Sequence, residues 1–104
     1  MSVVKIFAIT RGAGDDGEQL EHLIEARAAA YQNHSGFLGL ELLAPIDERD
    51  TWLFVTRWAD AESFDDFAAG PAFAGGADRV AAFGGPESTT AEIWSFRLSL
   101  TTER

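Results

Sequence analysis

Hydrophobic residues recur along this chain with two different periods, and the change of period predicts the order of its elements. The opening SVVKIFAIT is rich in β-branched residues, and the late AEIWSFRLSL alternates apolar with polar positions. Two further strand-like runs, FLGLELLA and TWLFVTRW, flank a Pro- and Asp-containing connection at 45–50 that suits a hairpin. The pattern therefore predicts four β-strands.

Apolar residues three and four positions apart predict a first helix that includes Leu20 and Tyr31, with Arg27 on or beside its apolar side. Asp15 or Asp16 is expected to cap its start. The sequence His34-Ser35-Gly36 is expected to end it.

A second helix is predicted after Asp60, a good N-cap, with Phe64, Phe67 and Ala68 on one face. The pair Gly70-Pro71 interrupts it, and Pro71 can begin a further helical stretch that contains Phe73. The sequence GGPESTT then predicts a loop before the last strand.

The predicted order is strand, helix, strand, strand, helix, strand, which indicates an α+β ferredoxin-like fold with a four-stranded antiparallel sheet. A length of 104 residues suits one domain, 1–104. Both sheet faces are apolar, since Val4 and Ile6 alternate with Phe7 and Ile9 in the first strand. Helices can cover only one face, so we expect a second copy to cover the other in a symmetric homodimer.

Charge and composition narrow the function. The net charge of −9 disfavours nucleic acid and anionic membrane surfaces as partners. The chain has no cysteine, which excludes disulfides and cysteine-ligated metal. Its two histidines, His22 and His34, lack partners at metal-ligand spacing, so no metal site is expected. Without a leader-like start or a membrane-length apolar run, a cytoplasmic protein is expected.

The segments MSVVKIFAI, SGFLGLELLAP and LFVTRWADAESFDDFAAGPAFA resemble the antibiotic biosynthesis monooxygenase family, and within it the IsdG-type haem-degrading enzymes of mycobacterial type. The resemblance implies a dimeric α+β barrel with a pocket between sheet and helices. It also implies an asparagine, a tryptophan and an iron-ligating histidine for haem chemistry. The asparagine position holds Phe7 here and the tryptophan position holds Phe67. The histidine position holds Gly76, or Ala77 if the register slips by one. The resemblance also places Arg27 at the position of an arginine in the pocket. Because the haem-binding residues are replaced, no haem or other cofactor is expected.

Strand and helix geometry brings an aromatic-lined space with one cation to the helix-covered side of the sheet. Its substrate-binding candidates are Phe7, Arg27, Phe54, Phe64, Phe67, Phe73 and Gly76. The alternative is a filled core from which Arg27 reaches the rim. No catalytic residue is assigned, although Asp65 or Asp66 could act as a base, and Tyr31, Thr56, Arg27 and Arg57 could act as donors.

Three functions remain open at this stage. The first is a cofactor-independent monooxygenase that acts on or binds a small aromatic molecule. The second is a non-catalytic ligand-binding or structural dimer that has lost haem-degrading activity. The third is a haem-degrading monooxygenase with an altered site. The Gly-rich RGAGDDG lacks the spacing of a nucleotide-binding loop and predicts only a loop.

Overall fold

A computed structural model describes residues 2–10, 17–70 and 90–103 of the chain. Four strands and two helices fall within these ranges. In chain order they are β1 (Val3–Thr10), α1 (Glu18–Gln32), β2 (Phe37–Leu43), β3 (Thr51–Trp58), α2 (Ala61–Ala69) and β4 (Thr90–Arg97). All four predicted strands and both of these helices are confirmed, whereas the helical stretch predicted after Pro71 lies outside the described residues.

The strands form one sheet in the order β2-β3-β1-β4, and every neighbouring pair is antiparallel. The central strand β1 pairs Phe7 with Phe54 on one side and with Ile93 on the other. A bulge near Leu38 shifts the register between β2 and β3. This topology with two helices confirms the ferredoxin-like α+β fold.

The two helices begin in different ways. Asp60 caps α2 as predicted, because its Oδ1 accepts hydrogen bonds from the backbone N–H of Ser63 at 2.8 Å and from the Ser63 hydroxyl at 2.7 Å. The prediction that Asp15 or Asp16 caps α1 is wrong. Gly17 is the N-cap, with φ of 75° and no side-chain cap, and a Cβ there would collide with the Trp52 indole.

The helix face of the sheet, defined by the odd positions of β1 and the even positions of β3, holds the core. Phe7, Ile9, Phe54 and Trp58 are fully buried on this face. Leu20, Ile24 and Tyr31 of α1 and Phe64 and Phe67 of α2 complete the cluster. Period-two geometry predicted this separation of faces correctly.

The opposite side, called the open face, is apolar along β1 and around Trp94 and Phe96, and it carries the Arg57–Glu41 pair towards β2. The register places Ile6 beside Val55 and Trp94, and Val4 beside Phe96. No described helix residue belongs to this side, and Trp94 and Phe96 remain 39% and 52% exposed. The described residues therefore leave a hydrophobic surface uncovered by their own helices.

Candidate functional site

The space between sheet and helices contains a compact group of aromatic rings. Phe7 stacks on Phe54 at a centroid distance of 5.6 Å. Tyr31 of α1 meets the edge of Phe54 at 5.5 Å and lies 4.5 Å from Phe67 of α2. Trp58 contacts both Tyr31 and Phe67. We call these five residues the aromatic cluster. Phe7, Phe54 and Phe67 lie together on the helix face, as predicted.

Buried polar groups at the base of the cluster are already paired. The Thr56 hydroxyl donates to the Lys5 carbonyl oxygen at 3.0 Å and accepts from Trp58 Nε1 at 2.9 Å. The Thr56 proton is therefore committed to the backbone, which makes Thr56 a poor donor for a ligand. This pairing instead allows a hydroxyl and an indole N–H to be buried in the core.

The Tyr31 hydroxyl is the exception. Tyr31 is only 2% exposed, and its Oη is buried with no hydrogen-bond partner. Burial raises the pKa of this phenol, and the positive charge of Arg27 opposes that rise. Arg27 precedes Tyr31 by one helical turn and is half-buried, so the phenol and the guanidinium lie on the same side of α1.

The remaining candidates divide between the two sides of the sheet. Phe64 is buried on the helix face, where it meets Trp58 at 5.4 Å and lies under Lys5 Nζ at 4.8 Å. Arg57 lies on the open face and pairs with Glu41 at 3.9 Å, so its assignment as a site donor is wrong. Phe73 and Gly76 lie outside the described residues.

The described residues offer no internal carboxylate and no metal cluster. Asp65 and Asp66 are both exposed on α2, which makes neither a base within the cluster. His22 is exposed beside Glu18, whereas His34 packs its ring against Phe67 at 5.3 Å. Within the described ranges, no three metal-ligating side chains come together.

A concavity that was not predicted from the sequence lies between α1 and β2. It has a volume of about 300 Å³ and a largely apolar wall with carboxylates beside it; the lining residues are Glu21, Ile24, Glu25, Ala28, Leu40, Leu42, Ala44 and Trp52. Only the packing of a helix against a strand edge creates this space. Residue periodicity carries no signal for it.

Comparison with known proteins identifies the family to which this arrangement belongs. Residues 2–79 match the antibiotic biosynthesis monooxygenase family. The chain belongs to that family. A heme oxygenase (mycobilin-producing) from Mycobacterium tuberculosis is 40% identical over 100 residues, which cover 96% of this chain and 91% of that protein.

Two solved structures have a similar fold. The heme-degrader MhuD from Mycobacterium tuberculosis, with two hemes bound in its active site, superposes with a TM-score of 0.73 and 37% identity, covering 97% of this chain and 99% of that one. SnoaB, a cofactor-independent oxygenase from Streptomyces nogalater, superposes with a TM-score of 0.75 at 21% identity, covering 99% of this chain and 98% of that one. At that lower identity the likeness concerns the fold alone. Among the described residues, no helix is long and apolar enough to cross a bilayer.

Proposed function

We propose that this family member is a cofactor-independent monooxygenase that binds a small aromatic molecule at the aromatic cluster. The observation that carries the proposal is the combination of stacked rings with a buried Tyr31 hydroxyl and the Arg27 charge one helical turn away. Aromatic walls suit a flat apolar ligand. A cation and a hydroxyl donor suit an oxygen atom on that ligand that carries negative charge.

The reaction that fits such a site is the oxidation of an anthrone or a similar phenol by dioxygen. The substrate, as its anion, supplies electrons to dioxygen; one oxygen atom enters the ring as a new carbonyl, and the other leaves as water with the two displaced hydrogens. The described part of the cluster contains no carboxylate base, since Asp65 and Asp66 are exposed. The protein's part is therefore to exclude water and to favour the anion through Arg27.

Dioxygen consumption with 1,8-dihydroxyanthrone and related phenols tests this function. We expect turnover by the native protein and a clear loss in Arg27→Gln. Arg49→Gln is the matched control, because Arg49 lies in the exposed hairpin and pairs with Asp47 at 3.6 Å. Uptake no faster than the uncatalysed rate across the panel would exclude the oxygenase function.

A non-catalytic binding or structural dimer is the second candidate, and the closed packing favours it. Phe7 and Phe54 are 0% exposed and Phe67 is 3% exposed, so the described cluster resembles a filled core. The same oxygen measurement separates the two candidates. Saturable binding of a phenol without dioxygen consumption would support the second.

Haem degradation, the activity of the 40% identical relative, does not fit the residues present. Phe7 offers no hydrogen-bond donor, and its ring is fully buried against Phe54 where a porphyrin would need room. Position 76 is a glycine, which has no lone pair for iron. We expect haemin titration to give no saturable shift of the Soret band.

Assembly through the open face completes the proposal. We infer that two copies of the chain bury their apolar open faces against each other, with Trp94 and Phe96 among the contacts. The self-complementary patch of a symmetric dimer needs no separate partner.

A further inference from the structure

We propose that the Tyr31 hydroxyl and the Arg27 guanidinium together recognise one anionic oxygen of the ligand and thereby set the specificity of the aromatic cluster. This inference rests on the proposed ligand site. It goes further by assigning to the Tyr31 hydroxyl the discrimination between an anionic aromatic ligand and a bare hydrocarbon. Tyr31 is here a ligand-binding residue.

The first step is that Tyr31 is the available donor of the cluster. The other polar side-chain groups buried with it are committed, because Thr56 donates to the Lys5 carbonyl and Trp58 Nε1 donates to Thr56. Phe7, Phe54 and Phe67 have no donors at all. Within the described residues, the Tyr31 Oη is the buried side-chain polar atom that lacks a partner.

The second step is that packing alone does not explain a tyrosine here. The ring is held by Phe37, Phe54, Trp58 and Phe67, and a phenylalanine would keep every one of these contacts. A buried hydroxyl without a partner costs stability, and native proteins pair such groups in the great majority of cases. A hydroxyl kept at this cost is explained by a partner that arrives with the ligand.

The third step fixes the charge of the partner. A phenol donates, so the partner must be an acceptor. Arg27 is half-buried and precedes Tyr31 by one turn of α1, so its positive charge lies on the same side of the helix as the phenol. An acceptor oxygen that reaches the Tyr31 hydroxyl receives a hydrogen bond and lies on the Arg27 side of α1, which selects carboxylate, phenolate or enolate over a bare hydrocarbon.

A binding cycle tests the inference with 2-naphthoate and naphthalene as probes, measured by equilibrium dialysis on the native protein and on Tyr31→Phe. We expect the Kd of 2-naphthoate to rise about tenfold in Tyr31→Phe, the loss of one hydrogen bond to a charged group. The Kd of naphthalene should stay the same or fall. Thr10→Val is the matched control, since it removes a hydroxyl that bonds Thr51 at 2.9 Å, away from the cluster.

Two further readouts keep the test independent of folding. The melting temperature of Tyr31→Phe should equal or exceed that of the native protein. Tyr31 is the single tyrosine of the chain, so ¹³Cζ labelling gives one NMR signal, which 2-naphthoate should shift and naphthalene should leave nearly unchanged.

The outcomes separate this inference from the proposed function. Equal effects of Tyr31→Phe on both probes, an unmoved tyrosine signal, or no saturable 2-naphthoate binding would each overturn the inference. Anthrone oxidation with an unchanged KM in Tyr31→Phe would also overturn it and leave the oxygenase function standing. Selective loss of 2-naphthoate binding without any oxygenase activity would support the inference and remove the function.

Discussion

Replacing Phe7 by asparagine tests whether the aromatic cluster is dry and closely packed when no ligand is bound. Phe7 is 0% exposed and stacks on Phe54. Truncating a buried phenylalanine typically costs about 3–5 kcal/mol. The new amide adds about 1–3 kcal/mol if its polar atoms find no partner. Because small domains have a stability of about 5–15 kcal/mol, Phe7→Asn should bring the protein close to unfolding under native conditions.

Urea unfolding followed by far-ultraviolet circular dichroism measures this loss, at one protein concentration because dimerisation would couple to stability. Phe7→Leu is the matched variant, since it keeps an apolar side chain at the same position. Its cost should be about 1 kcal/mol or slightly more. The difference between the two variants then isolates the burial of a polar group.

The reasoning would be refuted if Phe7→Asn lost less than about 1 kcal/mol, the range of a surface substitution. That result would mean that an amide at position 7 is solvated or hydrogen-bonded in place. The helix face would then contain an accessible polar pocket, and haem binding would deserve a new test in that variant.

Two further predictions concern the open face and the start of α2. Trp94→Asp should convert the dimer into a monomer, as measured by light scattering at micromolar protein concentration. Ile46→Asp, in the exposed hairpin, should leave the dimer intact. A native protein that is already monomeric at this concentration would contradict the proposed dimer. Asp60→Ala should lower the melting temperature at neutral pH. Hydrogen bonds from Ser63 lower the Asp60 pKa. The stabilisation of the folded protein by the ionised Asp60 carboxylate is therefore fully present above the ordinary aspartate pKa, and it is lost as the pH falls through the lowered pKa of the folded state. The difference in melting temperature between Asp60→Ala and the native protein should become smaller in acid. A difference that does not change with pH would contradict the role of the Asp60 charge.

The strands and the start of α2 could be predicted because their causes are local. Alternation in TWLFVTRW determines which side chains face the helices, and Asp60 caps through a residue three positions away. The same alternation also places Arg57 on the other face of the sheet from Thr56 and Trp58. Period-two geometry alone would have removed Arg57 from the candidate donors.

Features that depend on contacts across the fold could not be predicted. Two aspartates before α1 suggested a carboxylate cap, but the Trp52 indole lies against the N-cap position and leaves room only for Gly17. The bulge near Leu38 and the cleft between α1 and β2 likewise arise from the pairing and packing of distant segments. No residue pattern encodes them in one stretch of sequence.

Core packing explains the phenylalanine at position 7, where the family resemblance implies an asparagine, but it does not explain the hydroxyl of Tyr31. An asparagine at position 7 would need a polar partner in the core, whereas Phe7 stacks on Phe54 and contributes hydrophobic burial. The family fold therefore accommodates an apolar side chain at position 7 as part of its core. In a cluster made apolar in this way, a hydroxyl on Tyr31 works against the same trend, since phenylalanine would pack equally well. The proposed recognition of a ligand oxygen would explain this hydroxyl, whereas its contribution to stability does not.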